Sequence, residues 1–311
     1  MIRMDAVRHH LDANETMFFA RQLEEIEATV YAFEKTELKY RQFIPVSNKD
    51  NPGANTITYR MLEQVGSFKV IANYSTDLPR SDAYMSEFSQ KVKGFGGAIG
   101  YSTQDLRAAA MTGTSLEMTQ ADALRRAYNE TLNSVCWNGD IESGVQGILD
   151  NANIPTVAAA NGAGGNSEWS TKTADEIVLD VRTILSRIMT QSKGIHKANT
   201  FLMPRAQYNI IEGLPRSTHS DMTVLEFLKK TYPDVTFDVL ETELDSAFTS
   251  NTEDGAIVYQ KSPRVLEYRI PLELLLHPVQ IKNLEFIVPG EARLGGVVVR
   301  YPLAMGFFTG I

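Results

Sequence analysis

The sequence contains a single cysteine, Cys136, in 311 residues. One cysteine excludes an intramolecular disulfide and any zinc site built from several cysteines. The five histidines lack the i, i+4 spacing and the nearby carboxylates that metal sites use. We therefore predict a chain without a metal ion or any other cofactor, made in a reducing compartment.

Long apolar runs are also missing. No stretch approaches the roughly 20 apolar residues that a membrane-spanning helix needs. The first ten residues, MIRMDAVRHH, carry charges where a signal peptide would have an apolar core. These absences predict a soluble protein that is made in the cytoplasm and has no membrane partner.

Positive charge is in short supply. Lys and Arg total 30 against 38 Asp and Glu, which gives a net charge of −8. The basic residues are scattered and cluster only in short pairs such as Arg125 and Arg126. Tight, charge-driven binding of nucleic acid is therefore not expected.

Motifs for enzyme chemistry are absent as well. The glycine-rich stretch from Gly94 to Gly100 fails the dinucleotide fingerprint, because its third required glycine falls on Ile99. No P-loop and no Gly-x-Ser-x-Gly elbow occurs, and Cys136 lies on or beside the apolar stripe of a helix. We predict a tight packing turn at Gly94–Gly100, no catalytic residues and no enzyme; an α+β enzyme with unrecognised residues is the remaining alternative.

An amphipathic helix is predicted near the N-terminus. Between Phe19 and Phe33 apolar residues recur at steps of three and four, beginning with Phe19, Leu23 and Ile26, opposite several glutamates. Such a helix either packs on its own domain or reaches a neighbouring subunit, and the pattern alone does not decide between them.

Two strands are predicted after a turn cluster that ends at Gly53. The first is Thr56–Met61, and the second is Phe68–Ala72, after a break at Gly66. A two-stranded hairpin is marginal on its own. Either it joins a larger sheet, or it is an arm whose apolar side another subunit covers.

The rest of the chain is predicted to contain both helices and strands, as in an α+β fold. A helix to about Cys136 is predicted with a capping box at Thr119 and Asp122, and another with a capping box at Thr173 and Glu176. A small-residue tract, 157–166, is predicted as a surface loop. The remaining pieces predicted are strands at 200–203, 235–240, 256–259, 284–288 and 296–308 and a helix at 205–212.

Two stretches resemble one family. The run TQADALRR from Thr119, followed by WNGD from Trp137 and GVQGI from Gly144, resembles the spine helix of tailed-phage major capsid proteins and its exit into a second domain. The run PGEARLGGV from Pro289, with RYP from Arg300, resembles the closing strands of that family. The same fold occurs in bacterial encapsulins, and the resemblance spans nearly the whole chain in element order.

The resemblance implies an α+β capsid fold with an N-arm, an extended β-hairpin loop, a peripheral domain with a long spine helix, and an axial domain. In this sequence these parts correspond to residues 1–44 for the arm, 45–88 for the extended loop, 89–142 and 269–311 for the peripheral domain, and 143–268 for the axial domain.

The function implied is that of a major capsid protein, which self-assembles through many weak symmetric contacts into an icosahedral shell around the phage genome. Its main expected partner is other copies of the same chain, arranged as pentamers and hexamers. The expected location is the virion, and assembly is expected in the host cytoplasm. A portal and separate scaffolding or decoration proteins are further expected partners, and the packaged DNA is enclosed without specific binding. An encapsulin-like nanocompartment is the nearest alternative. Intersubunit contacts are expected at Phe19, Leu23, Ile26, Arg60, Glu63 and Lys69.

Overall fold

The structure, a computed structural model, describes residues 35–71, 78–112, 116–217, 220–241, 243–244 and 254–311. The chain divides into a first unit, Met1–Glu37, and a second compact unit, Leu38–Ile311. Every helix and strand given below belongs to the second unit. The predicted helix between Phe19 and Phe33 lies outside the described residues.

Helices and strands alternate irregularly along the second unit. The helices are α1 (Tyr40–Phe43), α2 (Thr103–Thr112), α3 (Leu116–Asn138), α4 (Ala174–Gln191), α5 (Arg205–Gly213) and α6 (Val224–Thr231). The strands are β1 (Val46–Ser47), β2 (Thr56–Val65), β3 (Asp82–Lys91), β4 (Lys93–Ser102), β5 (Thr156–Ala158), β6 (Thr200–Pro204), β7 (Pro215–Ser217), β8 (Ser220–Thr223), β9 (Thr236–Leu240), β10 (Gly255–Tyr259), β11 (Leu266–Arg269), β12 (Leu272–Leu276), β13 (Gln280–Lys282), β14 (Glu285–Leu294), β15 (Gly296–Val299) and β16 (Met305–Thr309). The predicted surface loop at 157–166 begins within β5 and is otherwise irregular.

The long helix α3 begins earlier than the sequence pattern predicts. Thr119 lies inside the helix, so the predicted capping box at Thr119 and Asp122 is wrong. A hydroxyl followed three residues later by a carboxylate also occurs within helices, and here the chain is already helical from Leu116. The predicted stop near Cys136 is close to the observed end at Asn138. Gly139 follows with a φ of +73°, a conformation that favours glycine.

The helix α4 follows its sequence pattern closely. Thr173 precedes the first turn, and the Glu176 carboxylate accepts a hydrogen bond from the Thr173 backbone N–H at 2.8 Å. The predicted capping box is confirmed. Its apolar stripe, which includes Ile177, Val181 and Ile184, is buried.

The glycine-rich stretch is a strand and not a tight turn. Residues Lys93–Ser102 form β4, which pairs with β14 in antiparallel register along its whole length. A Cβ built on Gly97 would approach the Leu124 side chain to 2.7 Å. The glycine therefore lets α3 lie close against this strand, which is a packing role that a turn interpretation misses.

The hairpin is confirmed, but its second strand is not the predicted one. β2 pairs with β3 through ten antiparallel residue pairs, from Thr56 with Lys91 to Val65 with Asp82. The predicted strand Phe68–Ala72 is wrong for its described residues, since Phe68 to Ile71 are irregular and exposed. An apolar and β-branched run resembles a strand in sequence even where no partner strand lies beside it.

A five-stranded sheet lies between two apolar cores. Its strand order is β5-β16-β10-β6-β9. Alternate residues of its strands face a core shared with α1 and the end of α3, or a core shared with α4, α5 and α6. The last strand, β16, lies inside this sheet between β5 and β10, although its sequence lies far from theirs.

A three-stranded sheet, β1-β11-β15, lies against the first core, and a further sheet joins β12, β14, β13 and β4. Tyr40, Phe43 and Ile44 are buried in the first core, although they fall in the predicted arm. The proposed division into arm, loop, peripheral and axial domains stays a prediction.

Candidate assembly surfaces

The base of the hairpin is fixed to the body of the chain. Ile57 is buried, and the Tyr59 hydroxyl donates a hydrogen bond to the Val299 carbonyl at 3.4 Å. The Tyr59 ring stacks on Phe88 with 5.4 Å between centroids, and the Arg300 guanidinium lies 6.0 Å from the same ring. These contacts set the direction in which the hairpin leaves the three-stranded sheet.

A charged cluster supports this base. The Glu267 carboxylate accepts a hydrogen bond from Arg300 at 2.8 Å and forms an ion pair with Arg269 at 3.0 Å. Arg269 also contacts Asp50 at 3.3 Å. Burial by itself raises the pKa of Glu267, but the Arg300 hydrogen bond and the Arg269 charge outweigh it, so the pKa lies below the ordinary carboxyl value. The side chain is therefore an ionised, well-partnered anion at neutral pH.

Beyond its base, the hairpin exposes apolar side chains. Leu62 and Met85 are opposite each other on one face, and each is more than half exposed. The hairpin tip, defined here as residues 66–71, includes Phe68 and Val70, which are fully exposed. Clustered exposure of large apolar groups marks an interaction surface.

A second apolar surface lies on the sheet of β12, β13 and β14. Ile281 is 71% exposed and Leu284 is 74% exposed. Leu275, Leu276 and Val279 are exposed nearby in sequence. This sheet surface is again larger than the isolated apolar residues that any soluble protein shows.

The described residues offer little to reaction chemistry. They contain no group of three or more His, Cys, Asp and Glu side chains that could hold a metal ion. Cys136 is fully buried, and burial raises the pKa of its thiol, which disfavours the reactive thiolate. No helix among these residues has the length and apolar character required to cross a membrane.

A family model with the description Major capsid protein matches residues 66–311, which is most of the chain. The chain belongs to this family. The predicted recognition is confirmed, and the family is one of capsid structural proteins rather than of enzymes.

Solved capsid structures share the fold of this capsid protein. The capsid of Myoviridae phage XM1 matches with a TM-score of 0.83 and 20% identity, over 96% of this chain and 100% of that chain. A chain of Mycobacterium phage Ogopogo matches with a TM-score of 0.64 and 12% identity, over 94% and 99%. The virus-like particle from Pyrococcus furiosus matches with a TM-score of 0.51 and 13% identity, over 86% and 91%. No curated protein matches the chain. The predicted α+β capsid fold is confirmed.

The predicted contact residues of this capsid protein fall into two groups. Phe19, Leu23 and Ile26 lie outside the described residues. Arg60, Glu63 and Lys69 lie on or just beyond β2 and are exposed. The Arg60 guanidinium forms an ion pair at 2.7 Å with Glu87 on the opposite strand. Their intersubunit role stays a prediction.

Sequence reasoning missed the apolar side chains of the hairpin. The sequence pattern predicts a strand at Phe68 and Val70, which form part of the exposed tip, and it gives no sign of the exposed Met85 on β3. The available signal was their position. Apolar residues just past a glycine break, at the turn of a two-stranded hairpin, indicate exposure to a partner.

Proposed function

We propose that this capsid protein assembles with copies of itself into a closed icosahedral shell that encloses a phage genome, and that its hairpin lies across a neighbouring subunit. The observation that carries the proposal is the hairpin. It has ten residue pairs and is held at its base, and the described chain leaves the apolar side chains along it and at its tip uncovered. A two-stranded ribbon of this kind is marginal unless another surface covers it.

Many weak contacts suit such a shell. A contact of millimolar affinity corresponds to about −4 kcal/mol, and linking several contacts on each subunit raises the effective concentration for the next. Weak contacts also let misplaced subunits dissociate before the shell closes. Pentamers and hexamers in the virion, a portal, and separate scaffolding or decoration proteins belong to the same proposal, as does assembly in the host cytoplasm.

The test is assembly of a tip variant. In Phe68→Ser with Val70→Ser we expect a folded chain that forms few or no closed particles, because the apolar groups available to the neighbour are gone. Negative-stain electron microscopy and size-exclusion chromatography measure the particles, and circular dichroism measures the fold. The matched control is Met111→Ser with Met118→Ser, two exposed apolar residues away from the hairpin. Normal shells from the tip variant would refute the hairpin's role.

A nanocompartment around a protein cargo is the second candidate. The likeness to the virus-like particle from Pyrococcus furiosus supports the fold of such a shell, but with a TM-score of 0.51 against 0.83 for the phage XM1 capsid. Purified particles separate the two. A specific copurifying protein favours the nanocompartment, whereas empty particles, sheets or soluble oligomers from the chain alone favour the phage shell.

A further inference from the structure

The outward face of α4 is positively charged in an otherwise acidic chain. Arg182 and Arg187 are exposed on the helix, and Lys193 and Lys197 are exposed in the loop that follows it. No Asp or Glu occurs in residues 181–211. These four side chains are called the α4 basic face below.

Carboxylates of the described chain do not neutralise this face. None of its four side chains forms an ion pair with another described residue, whereas the carboxylates at the start of α4 are already engaged. Asp175 pairs with Arg216 at 2.5 Å, and the buried Asp180 pairs with Lys172 at 2.5 Å. Asp234 lines a groove together with Lys197 but lies beyond ion-pair distance. The positive charge is therefore available to an external anion.

The shape and chemistry of the face suit phosphate groups. An open, shallow depression of about 540 Å³ follows the helix and is lined by Arg182, Arg187, Thr183, Ser186 and Thr190, with Leu179 and Gln191. Guanidinium groups are frequent donors to phosphate oxygens. The Thr183 and Thr190 hydroxyls donate to the Leu179 and Ser186 carbonyls instead, so the two arginines supply the donors. Five residues of helix separate the two arginines by about 7.5 Å along its axis, since the rise is about 1.5 Å per residue. Along the axis of duplex DNA this length corresponds to about two base-pair steps, at about 3.4 Å each.

We propose that the α4 basic face contacts the phosphate backbone of the packaged duplex DNA, so that this face of the subunit is directed to the interior of the shell. The inference goes beyond the proposed function, and rests on it only for the presence of DNA. Contact with phosphates alone does not read sequence.

The net charge of −8 does not prevent such a contact. Exposed charges separated by more than about 8–10 Å are largely screened at physiological salt, so the local charge of the face determines the attraction. The acidic remainder of the chain keeps the contact weak and strongly dependent on salt. A weak contact is compatible with release of the genome.

An acidic protein segment is a less suitable occupant. Protein interfaces have an apolar core inside a polar rim. Leu179 is the single large apolar side chain that lines the depression. Its charged lining residues are Arg182 and Arg187, whose guanidinium groups favour phosphates.

Binding of duplex DNA to the purified full chain tests the proposal. The probe is a labelled duplex of about 30 base pairs without a defined sequence, and fluorescence anisotropy gives its affinity between about 50 and 200 mM salt. In Arg182→Gln with Arg187→Gln we expect weaker binding and a salt slope lower in magnitude by about 2. The control, Arg107→Gln with Arg125→Gln, removes the same charge from exposed positions on α2 and α3 and should retain the wild-type slope.

A second readout does not depend on variants. Acetylation of surface lysines, followed by mass spectrometry, should show that DNA protects Lys193 and Lys197 but not Lys229 and Lys230 on α6. The proposal is overturned if wild-type chain does not bind the duplex at low salt, if both double variants bind alike, or if polyglutamate of equal charge competes as well as DNA. Electron microscopy of the same variants keeps this test separate from the proposed function, because shells should still form when the DNA contact is lost.

Discussion

Gly296 is a single residue on which the junction of two segments depends. Its φ is +69°, and a Cβ on it would lie 2.4 Å from the Gln146 carbonyl oxygen. That oxygen also accepts a hydrogen bond from the Val297 N–H at 2.9 Å. The start of β15 and the segment after α3 therefore meet backbone to backbone, and only glycine leaves the room.

A substitution at this position should be costly. We expect Gly296→Ala to lower the free energy of unfolding by about 2–4 kcal/mol, because strain from positive φ adds to the backbone clash. Urea denaturation followed by circular dichroism measures the change. Gly164→Ala is the control, since its Cβ would meet nothing within 4 Å. Equal stability of the two variants would contradict the argument.

At the scale of elements, the charged cluster below the hairpin joins β11, the residue that follows β15 and the loop after β1. Glu267 sits between Arg269 and Arg300, and its folded-state pKa is below the ordinary value of 4.5. A depressed pKa of a carboxyl stabilises the fold above the unfolded-state pKa, and this stabilisation is lost as the pH falls through the folded-state value. The hairpin base is thus most firmly held at neutral pH.

We expect Glu267→Gln to destabilise the chain by about 2 kcal/mol at pH 7, because the partly buried Arg269 and Arg300 guanidinium groups lose a shared anion, although Arg269 keeps Asp50. The difference from wild type should shrink as the pH is lowered below 4.5, where wild-type Glu267 is itself becoming protonated. Thermal unfolding across pH measures both effects. Glu87→Gln, in the exposed pair with Arg60, should cost under about 1 kcal/mol. A difference that stays constant with pH would count against this role of Glu267.

Helices and strands that bury an apolar stripe of their own could be predicted from the sequence. Those whose residues are determined by contact with another element or subunit could not. The helix α4 has its own cap and its own apolar stripe. The strand β4 has too few side chains to show a period, because α3 requires glycine at Gly97. The strand β3 is exposed along almost all of its length, so neither face carries a burial pattern. The candidate assembly surfaces could not be predicted for the same reason, since only a neighbouring subunit would bury their apolar side chains.

At the scale of the whole molecule, residues Leu38–Ile311 form a compact unit with its own cores. We expect a chain that lacks residues 1–34 to fold with nearly the thermal stability of the full chain, because Tyr40 and Phe43 are retained. We also expect it to fail to form closed particles, because most of the predicted arm, residues 1–44, is missing.

Light scattering and circular dichroism measure the two expectations independently. A chain that begins at residue 45 is the comparison: it loses the buried Tyr40, Phe43 and Ile44 and should be less stable. Normal assembly by the chain that lacks residues 1–34 would show that the arm is not needed for closure.

Long-range pairing is the part of the molecule that the sequence does not reveal. Composition predicts β6, β9, β10 and most of β16, but it does not predict β5, which falls largely in the predicted surface loop at 157–166. It also does not predict the strand order β5-β16-β10-β6-β9. Strands β5 and β16, and strands β6 and β9, form parallel pairs. These pairs are held by hydrogen bonds between backbone groups, which every residue except proline can form, so the local sequence does not show which strands pair. The resemblance to a family supplied the architecture instead.

The position of β16 has a consequence for the timing of synthesis. Thr309 pairs with Ala158 on one side and Gly255 on the other, so the sheet has a gap until this strand leaves the ribosome. Domains generally fold as the nascent chain emerges, starting from the N-terminal side. A nascent subunit therefore cannot close its central sheet between β5 and β10 until β16 has itself emerged.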